Sequence, residues 1–249
     1  MVGRSDARGP RRDEAARDPT RASAGGGAPP GARGDVVQLS RTPGPSPAAV
    51  AGLVLAAGAG RRYGRPKALV RHRGSLLVER AVRTLVEAGC GPALVVLGAA
   101  ADRVRADADL SAARVVGNPR WATGMGSSLR VGLRALAGTE AVAVVVLLVD
   151  MPGVSAEAVR RVAADATPAC LATAGYGPGR RGHPVLLGRE HWAGVCASAV
   201  GDSGAGGYLR QRLARVRIVP CADVADDADL DVPPAEAAAP DADGRPGRG

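Results

Sequence analysis

The fifteen residues Leu55–Leu69, LAAGAGRRYGRPKAL, carry Gly58, Gly60 and Gly64 together with Lys67, the only lysine among the 33 basic residues of the chain. Glycines at this spacing let a backbone turn its N–H groups toward an anion and approach it closely. Arg62 and Lys67 add positive charge, so the chemistry on offer is polyphosphate binding. The GxxxxGK[ST] spacing of a P-loop is absent, and so is the third glycine of a dinucleotide fingerprint; a looser dinucleotide loop stays open as an alternative. Arginine presents a broad planar fork and lysine a compact point charge. A crowded phosphate beside glycine backbone favours the compact charge; a surface lysine left by chance is the competing explanation. A second candidate is Asp150, in LLVDMP. A carboxylate ending a buried strand is costly without a partner or a task. Holding Mg²⁺ beside phosphates is such a task, and capping a helix that begins near Pro152 is the other.

Composition gives these residues weight. The chain has no Phe, and Asn118 and Ile218 are the only residues of their types. Met125 and Met151 are the only methionines after the first residue, and Tyr63, Tyr176 and Tyr208 are the only tyrosines. In so biased a sequence, a residue type that has nearly vanished carries more information where it persists. Hydrophobic residues make up 46% and aromatic residues 2%, so the core must be Val, Leu and Ala. The net charge of +9 comes from scattered arginines without interleaved aromatics, which argues for a solvated surface or an anionic small substrate and against nucleic acid. Cys90, Cys170, Cys196 and Cys221 stand far apart with no CxxC; the expectation is reduced thiols in a cytoplasmic protein, not zinc. The longest fully apolar run, 141–149, falls far short of the roughly 20 residues of a membrane helix, and the basic N-terminus lacks the apolar stretch of a secretory signal.

The elements that must position the candidates alternate. Strands are expected at 52–57, 92–98, 113–118, 142–150, 169–174, 183–187 and 216–219, and helices at 75–89, 127–136, 155–165, near 189–197 and at 204–213. The run 142–150 is apolar on both faces, as a central parallel strand should be. This alternation predicts a three-layer α/β/α sandwich with a mostly parallel, Rossmann-like sheet. Ligands then bind beyond the carboxyl ends of strands, so loops 58–67, 117–127 and 150–153 should converge. Residues 1–47 lack core-forming side chains and are expected to be a disordered tail, with one domain over 48–236 and a flexible tail over 237–249.

Several blocks together resemble one family. LAAGAGRRYGRPKAL is similar to the LAAGxGxRxGxPKxL signature of MobA-like nucleotidyltransferases. NPRWATGMGSSLRVGL (118–133) resembles the NPxWxxGMxSSLxxGL block of the molybdenum cofactor cytidylyltransferase branch. LLVDMP, GHPVLL (182–187), GDSGAGGYL (201–209) and DADLDVPPAE (227–236) resemble that branch's LLxDQP or LLxDMP, GHPVLF, GDxGARxLL and DIDTPED blocks in the same order, over about residues 50–236. The resemblance implies the nucleotide-diphospho-sugar transferase type of sheet. It implies that Leu55, Ala56, Ala57, Gly58, Gly60, Gly126, Ser127 and Ser128 face the nucleotide, with Arg62 and Lys67 on the triphosphate. It implies Mg²⁺ on Asp150 with Asp231, or else Asp229, as second acid, and His183 and Asp202 on the acceptor side. Two departures stand out: the pattern's arginine is Gly206 here, and DIDTPED has lost its threonine and later acid. Asp202–Ser203 as a cap for helix 204–213, His183 as a turn residue, and Asn118 and Trp121 as loop braces are the structural alternatives.

The implied function is Mg²⁺-dependent transfer of CMP from CTP, or of another nucleotide from its NTP, onto a phosphorylated pterin cofactor that passes to a molybdoenzyme. The alternatives are transfer to a sugar phosphate or another phosphorylated metabolite, a non-catalytic molybdopterin carrier, and a dinucleotide-dependent oxidoreductase. The last lacks an acid after the second strand, where Ala99, Ala100 and Ala101 stand.

Overall fold

The computed structural model describes residues 49–230. The strands are β1 (Val50–Ala56), β2 (Arg71–His72), β3 (Ser75–Leu76), β4 (Ala93–Leu97), β5 (Arg114–Gly117), β6 (Ala143–Leu148), β7 (Leu171–Gly177), β8 (Arg180–Gly188) and β9 (Val216–Pro220). The helices are α1 (Leu77–Glu87), α2 (Ala101–Asp107), α3 (Met125–Leu136), α4 (Ala156–Ala163), α5 (Trp192–Ser198) and α6 (Gly206–Gln211). Seven strands form one sheet in the order β5-β4-β1-β6-β8-β7-β9, with β8 antiparallel to both neighbours and every other pairing parallel. β2 and β3 make a separate hairpin. The described residues thus form the expected three-layer sandwich with a mostly parallel sheet.

Alternation along the strands builds two cores. Val54, Ala56, Val145 and Leu147 face a layer that contains Leu77 and Leu85 of α1, Val104 of α2 and Val159 of α4. Leu53, Leu55, Val144 and Val146 face Leu129 and Leu133 of α3, Trp192 and Val195 of α5 and Tyr208 of α6. Each of the Val and Leu side chains named, once buried, contributes about 1.5–3 kcal/mol by leaving water. Because β1 lies between β4 and β6 and is covered on both faces, its carboxyl end is held firmly, and that end carries the glycine loop.

Element boundaries differ from expectation where the sequence pattern is weak. The helix expected from residue 75 begins at Leu77, because Ser75 and Leu76 pair back onto Arg71 and His72. α2 was not expected: of its residues only Val104 is buried, too little for a helical stripe. β8 extends back to Arg180 and β7 on to Gly177, past their apolar stretches, because the strands pair with each other there. The proposed tails 1–47 and 237–249 lie outside the described residues, as does Asp231.

Candidate active site

Three loops leave the carboxyl ends of β1, β5 and β6 and enclose a cavity of ≈ 520 Å³. The glycine loop contributes Ala57, Gly58, Gly60, Arg62 and Lys67, the loop before α3 contributes Trp121 and Gly124, and the end of β6 contributes Asp150. Lys67 Nζ donates to Asp150 Oδ2 at 2.7 Å, and both side chains are mostly buried. The first and third loops, 83 residues apart, therefore meet through opposite charges. Asp150 is no helix cap: α4 starts at Ala156, and its first turn is capped by Ser155, whose Oγ accepts from the Ala158 amide at 3.1 Å.

The glycine loop owes its shape chiefly to Gly60. It has φ +60°, and a Cβ there would lie 1.9 Å from the Arg65 carbonyl oxygen. The loop thus closes on Gly60 and sends the chain into the single 3₁₀ turn Lys67–Leu69, whose first residue reaches Asp150. Nothing lies within 4 Å of where a Gly58 Cβ would be.

The second loop is built on the lone asparagine. Asn118 is 3% exposed. Its amide donates to Ser127 Oγ at 2.8 Å and Ser128 Oγ at 3.0 Å, and its side-chain oxygen accepts from the Arg120 amide at 3.0 Å. Every polar position of that side chain is used within the protein, so Asn118 braces the loop. Ser127 is equally committed, with the Arg120 and Gly124 carbonyls within reach of its hydroxyl. Ser128 accepts from Asn118 and lines the cavity. Trp121 packs over Gly98, where a Cβ would lie 2.4 Å from its own, and the residue also lines the cavity. Gly124 and Gly126 bring α3 onto the 199–203 loop: a Cβ on Gly124 would meet the Gly201 backbone at 2.2 Å, and the Gly126 amide donates to the Gly201 carbonyl at 2.9 Å. That packing swings Asp202 to the mouth of the same cavity. Asp202 and Ser203 do not cap α6, whose N-cap position is Ala205 with no side-chain bond.

Of the residues named for the nucleotide, Leu55, Ala57, Gly58, Gly60, Arg62, Lys67 and Ser128 line the cavity. Ala56, Gly126 and Ser127 stand behind it: Ala56 points into the core, Gly126 packs on Ala199 and Ser203, and Ser127 is buried under Asn118. Trp121 and Met125 line it without having been proposed as ligand contacts; their rarity in the sequence was the available signal. His183 lies in a second cavity that shares Asp202 with the first. Its Nδ1 lies 3.0 Å from the Val146 carbonyl. A carbonyl only accepts, so Nδ1 carries the proton. Burial holds the imidazole pKa below its usual 6.5, against smaller opposing effects from the Val146 hydrogen bond and Asp150. The ring is therefore neutral at pH 7, and Nε2 presents a lone pair.

No group of three or more His, Cys, Asp or Glu among the described residues could hold a metal ion by itself. Mg²⁺ needs no such cage beside phosphates, since one or two carboxylates, waters and phosphate oxygens complete its shell. Asp150 fits that role: one oxygen faces Lys67, and the other accepts no hydrogen bond from a side chain or amide among the described residues. The Leu230 amide donates to the Asp150 carbonyl at 2.9 Å, so the acidic 226–230 segment runs beside this strand end. The four cysteines are free thiols, and burial pushes Cys90 up to about 11.

A parallel sheet whose loops join glycine backbone, paired cation and carboxylate, and a helix start around one cavity defines a nucleotide-handling α/β protein. Residues 52–216 match the MobA-like NTP transferase domain, and the chain belongs to that family of nucleotidyltransferases. It is 40% identical over 189 residues to the nicotine blue oxidoreductase of Paenarthrobacter nicotinovorans, covering 73% of this chain and 92% of that protein. It is 38% identical over 108 residues to a probable molybdenum cofactor guanylyltransferase of Opitutus terrae, covering 43% of this chain and about half, 51%, of that one. Among solved structures, it resembles a Mycobacterium tuberculosis H37Rv protein crystallised with manganese, with 26% identity, a TM-score of 0.57, and coverage of 76% and 95% of the two chains.

Proposed function

We propose that this nucleotidyltransferase moves CMP from CTP onto a phosphorylated acceptor, a molybdopterin cofactor, with Mg²⁺ bound at Asp150. The observation that carries the reading is the contact between the lone lysine and Asp150 at the glycine loop. An acceptor oxygen attacks the α-phosphorus, the bond to the bridging oxygen of the β-phosphate breaks, and pyrophosphate leaves with the electron pair. No protein nucleophile is needed, and positioning and charge neutralisation supply the rate. Lys67 and Arg62 offset the negative charge that grows on the leaving group. Ser128 and the Trp121 indole would receive the nucleoside, while Gly58 leaves room for the phosphates. Bound Mg²⁺ would polarise the phosphate oxygens. Asp150, with Asp231 or Asp229 as second acid, would hold it. His183 and Asp202 would meet the acceptor. The preference for CTP rests on LAAG and the GMGSSL block, and the relative named a guanylyltransferase is the reason to test GTP beside it. Free, unpaired cysteines are consistent with the cytoplasm as the site of action, and no helix among the described residues is long and apolar enough to cross a membrane.

The test is incubation of the purified chain with Mg²⁺, each NTP in turn and a panel of phosphorylated acceptors, followed by pyrophosphate measurement. Release with CTP and a pterin phosphate is expected. No release from any NTP, or a GTP preference of about a hundredfold in kcat/KM, overturns the cytidylyl reading.

One observation favours a second reading: a relative matched over 92% of its length is named an oxidoreductase. Hydride transfer from a nicotinamide dinucleotide would use the same cavity. Against it, β4 is followed by Ala99–Ala101, with no acid in position for a ribose, and Trp121 fills the space above Gly98. Oxidation of a reduced nicotinamide dinucleotide by a quinoid dye, without pyrophosphate release from any NTP, would establish this second reading in place of the first.

A further inference from the structure

Between β9 and the described end of the chain, residues 221–230 form a strap. It starts at the sheet edge, where the Cys221 amide donates to the Gly175 carbonyl at 2.9 Å and both Asp223 oxygens accept from Arg161 of α4, at 2.7 and 2.9 Å. It then lies against Gly153: a Cβ there would be 2.3 Å from Asp226 Oδ1, and the Asp226 amide donates to the Gly153 carbonyl at 3.3 Å. It ends beyond β6, with the Leu230 amide on the Asp150 carbonyl at 2.9 Å. In the order β6-β8-β7-β9 the strap thus passes from the edge strand back to the strand that carries Asp150. Asp229 and Asp231, the candidate second acids, flank Leu230 in the sequence.

From the sheet, Arg180 at the start of β8 reaches the middle of this strap and pairs with Asp227. The local register explains the reach. Gly175 of β7 faces Arg181 and Gly177 faces Arg180, so Tyr176 between them is an extra residue, a bulge. Bulges bend a strand and re-aim the side chains beside them. Tyr176, one of the three tyrosines, is buried, and its hydroxyl donates to the His183 carbonyl at 2.5 Å. A Cβ on Gly182 would lie 3.5 Å from Tyr176 Cε2 and 3.7 Å from Asp227 Cβ, so the ring and the strap border the same space over Gly182. The Arg180 side chain is 64% exposed and that of Asp227 22%. An ion pair with so exposed a partner adds little to overall stability. What it fixes is where the strap lies.

We propose that Arg180 and Asp227 are positioning residues: their ion pair, aimed by the bulge at Tyr176, clasps the strap so that a second acid, Asp229 or Asp231, stands with Asp150 on the divalent metal. Neither member of the pair touches the metal or the nucleotide; both act by placing the acid. The inference deepens the proposed function and rests on its assignment of the metal to Asp150.

Metal binding, not turnover, tests it. The probe is Mn²⁺, titrated against the full chain with and without CTP and followed by the electron paramagnetic resonance of the free ion. Residues that hold a metal's ligands in place are typically worth about ten- to a hundredfold in metal affinity. Arg180→Ala and Asp227→Asn should each weaken Mn²⁺ binding by about tenfold or more, with the melting temperature and the metal-free CTP affinity unchanged. The direction in Arg180→Ala is decisive. That variant removes a positive charge, so a field effect alone would tighten Mn²⁺ while Asp227→Asn loosened it; a misplaced strap loosens it in both. The exchanged pair, Arg180→Asp with Asp227→Arg, should restore the affinity. Hydrogen exchange of the Leu230 amide should quicken in the single variants and slow again in the exchanged pair. Tighter Mn²⁺ in Arg180→Ala, parental Mn²⁺ affinity or parental Leu230 exchange in either single variant, or an exchanged pair as weak as the singles overturns the proposal. Asp150→Asn tells two failures apart. If it binds Mn²⁺ like the parent, the metal assignment fails and the clasp with it; if it loses Mn²⁺ while the clasp variants keep it, the clasp alone fails. Should the chain release no pyrophosphate from any NTP while these affinities behave as expected, nucleotidyl transfer fails and the clasp stands.

Discussion

Substituting Lys67 by arginine keeps the charge and matches the remaining basic residues of the chain, so a surface lysine would tolerate it without effect. The structure argues otherwise. Lys67 is at the start of a 3₁₀ turn whose approach is fixed by Gly60, and its ammonium meets a single oxygen of Asp150 at 2.7 Å. A guanidinium in its place is longer, and its fork bonds both oxygens of a carboxylate at once. It would claim the second Asp150 oxygen, which has no hydrogen bond among the described residues and is the one proposed for Mg²⁺, and it would crowd the space beside Gly58. The fold should not suffer, because the ion pair is kept or strengthened. The rate should, because in the proposed reaction the charge on the leaving pyrophosphate would no longer be met by a compact cation. We expect kcat to fall about tenfold or more, equivalent to about 1.4 kcal/mol of lost transition-state stabilisation. KM for the NTP should change less, since the contact strengthens only as charge moves to the leaving group. Steady-state pyrophosphate release with CTP and an active acceptor separates the two constants, and a melting curve guards against misfolding. Lys67→Ala should lower kcat further and raise KM as well. An arginine variant with the kcat of the parent refutes the argument and returns Lys67 to an accident of composition.

Asp150→Asn should abolish pyrophosphate release at saturating Mg²⁺ while keeping a cooperative unfolding transition, since the amide keeps the shape and loses the charge; unchanged turnover would remove Asp150 from the reaction. Asn118→Ala should destabilise the protein by about 2–4 kcal/mol, because it leaves the Arg120 amide and two buried serines without their partner; denaturant unfolding measures this, and a loss below about 0.5 kcal/mol would show that the brace is dispensable. Gly60→Ala should weaken NTP binding as well as stability, because the Arg65 carbonyl sits where the new methyl must go; NTP titration matching the parent would mean that the loop reshapes freely. Finally, His183 is neutral in the fold and its pKa is depressed. Its contribution to stability is therefore present above the unfolded value near 6.5 and is lost as the pH falls toward the folded one. His183→Gln should flatten the decline in melting temperature below about pH 6.5, and a variant profile parallel to the parent's would assign that decline to other groups.

How much of this was legible beforehand depends on where the physical cause lies. The strand β6 announces itself because it is buried on both faces, and the loops at Lys67 and Asp150 could be singled out by residue type alone. Their direct contact could not, because 83 residues separate them and only the parallel pairing of β1 with β6 brings the two strand ends side by side. The helix α2 was invisible for the opposite reason: one buried valine is enough to seat seven residues at a sheet edge but not to make a periodic signal. On the side proposed for the acceptor, a missing arginine at Gly206 reads in the sequence as a weakened site. In space the guanidinium of Arg210 lies over that glycine, a fact about how a long side chain leans along a helix that no pattern of letters carries.

The glycine loop shows most clearly what spacing does and does not encode. Read as letters, Gly58, Gly60 and Gly64 are equivalent permissions for a backbone to approach an anion. In the fold they divide the labour. Gly60 faces inward, and its missing side chain is filled by the Arg65 carbonyl, so its role is to close the loop. Gly58 has open space where a Cβ would stand and borders the cavity, which makes it the place proposed for close approach by a phosphate. The same closure aims Lys67 at Asp150. The cation and the bare backbone proposed to receive the two ends of a triphosphate are thus set by one turn, and a change at Gly60 must move both together. Independent variation of phosphate affinity and of the Lys67 contribution to kcat should therefore be found at Gly58 and Lys67 themselves, and not at Gly60.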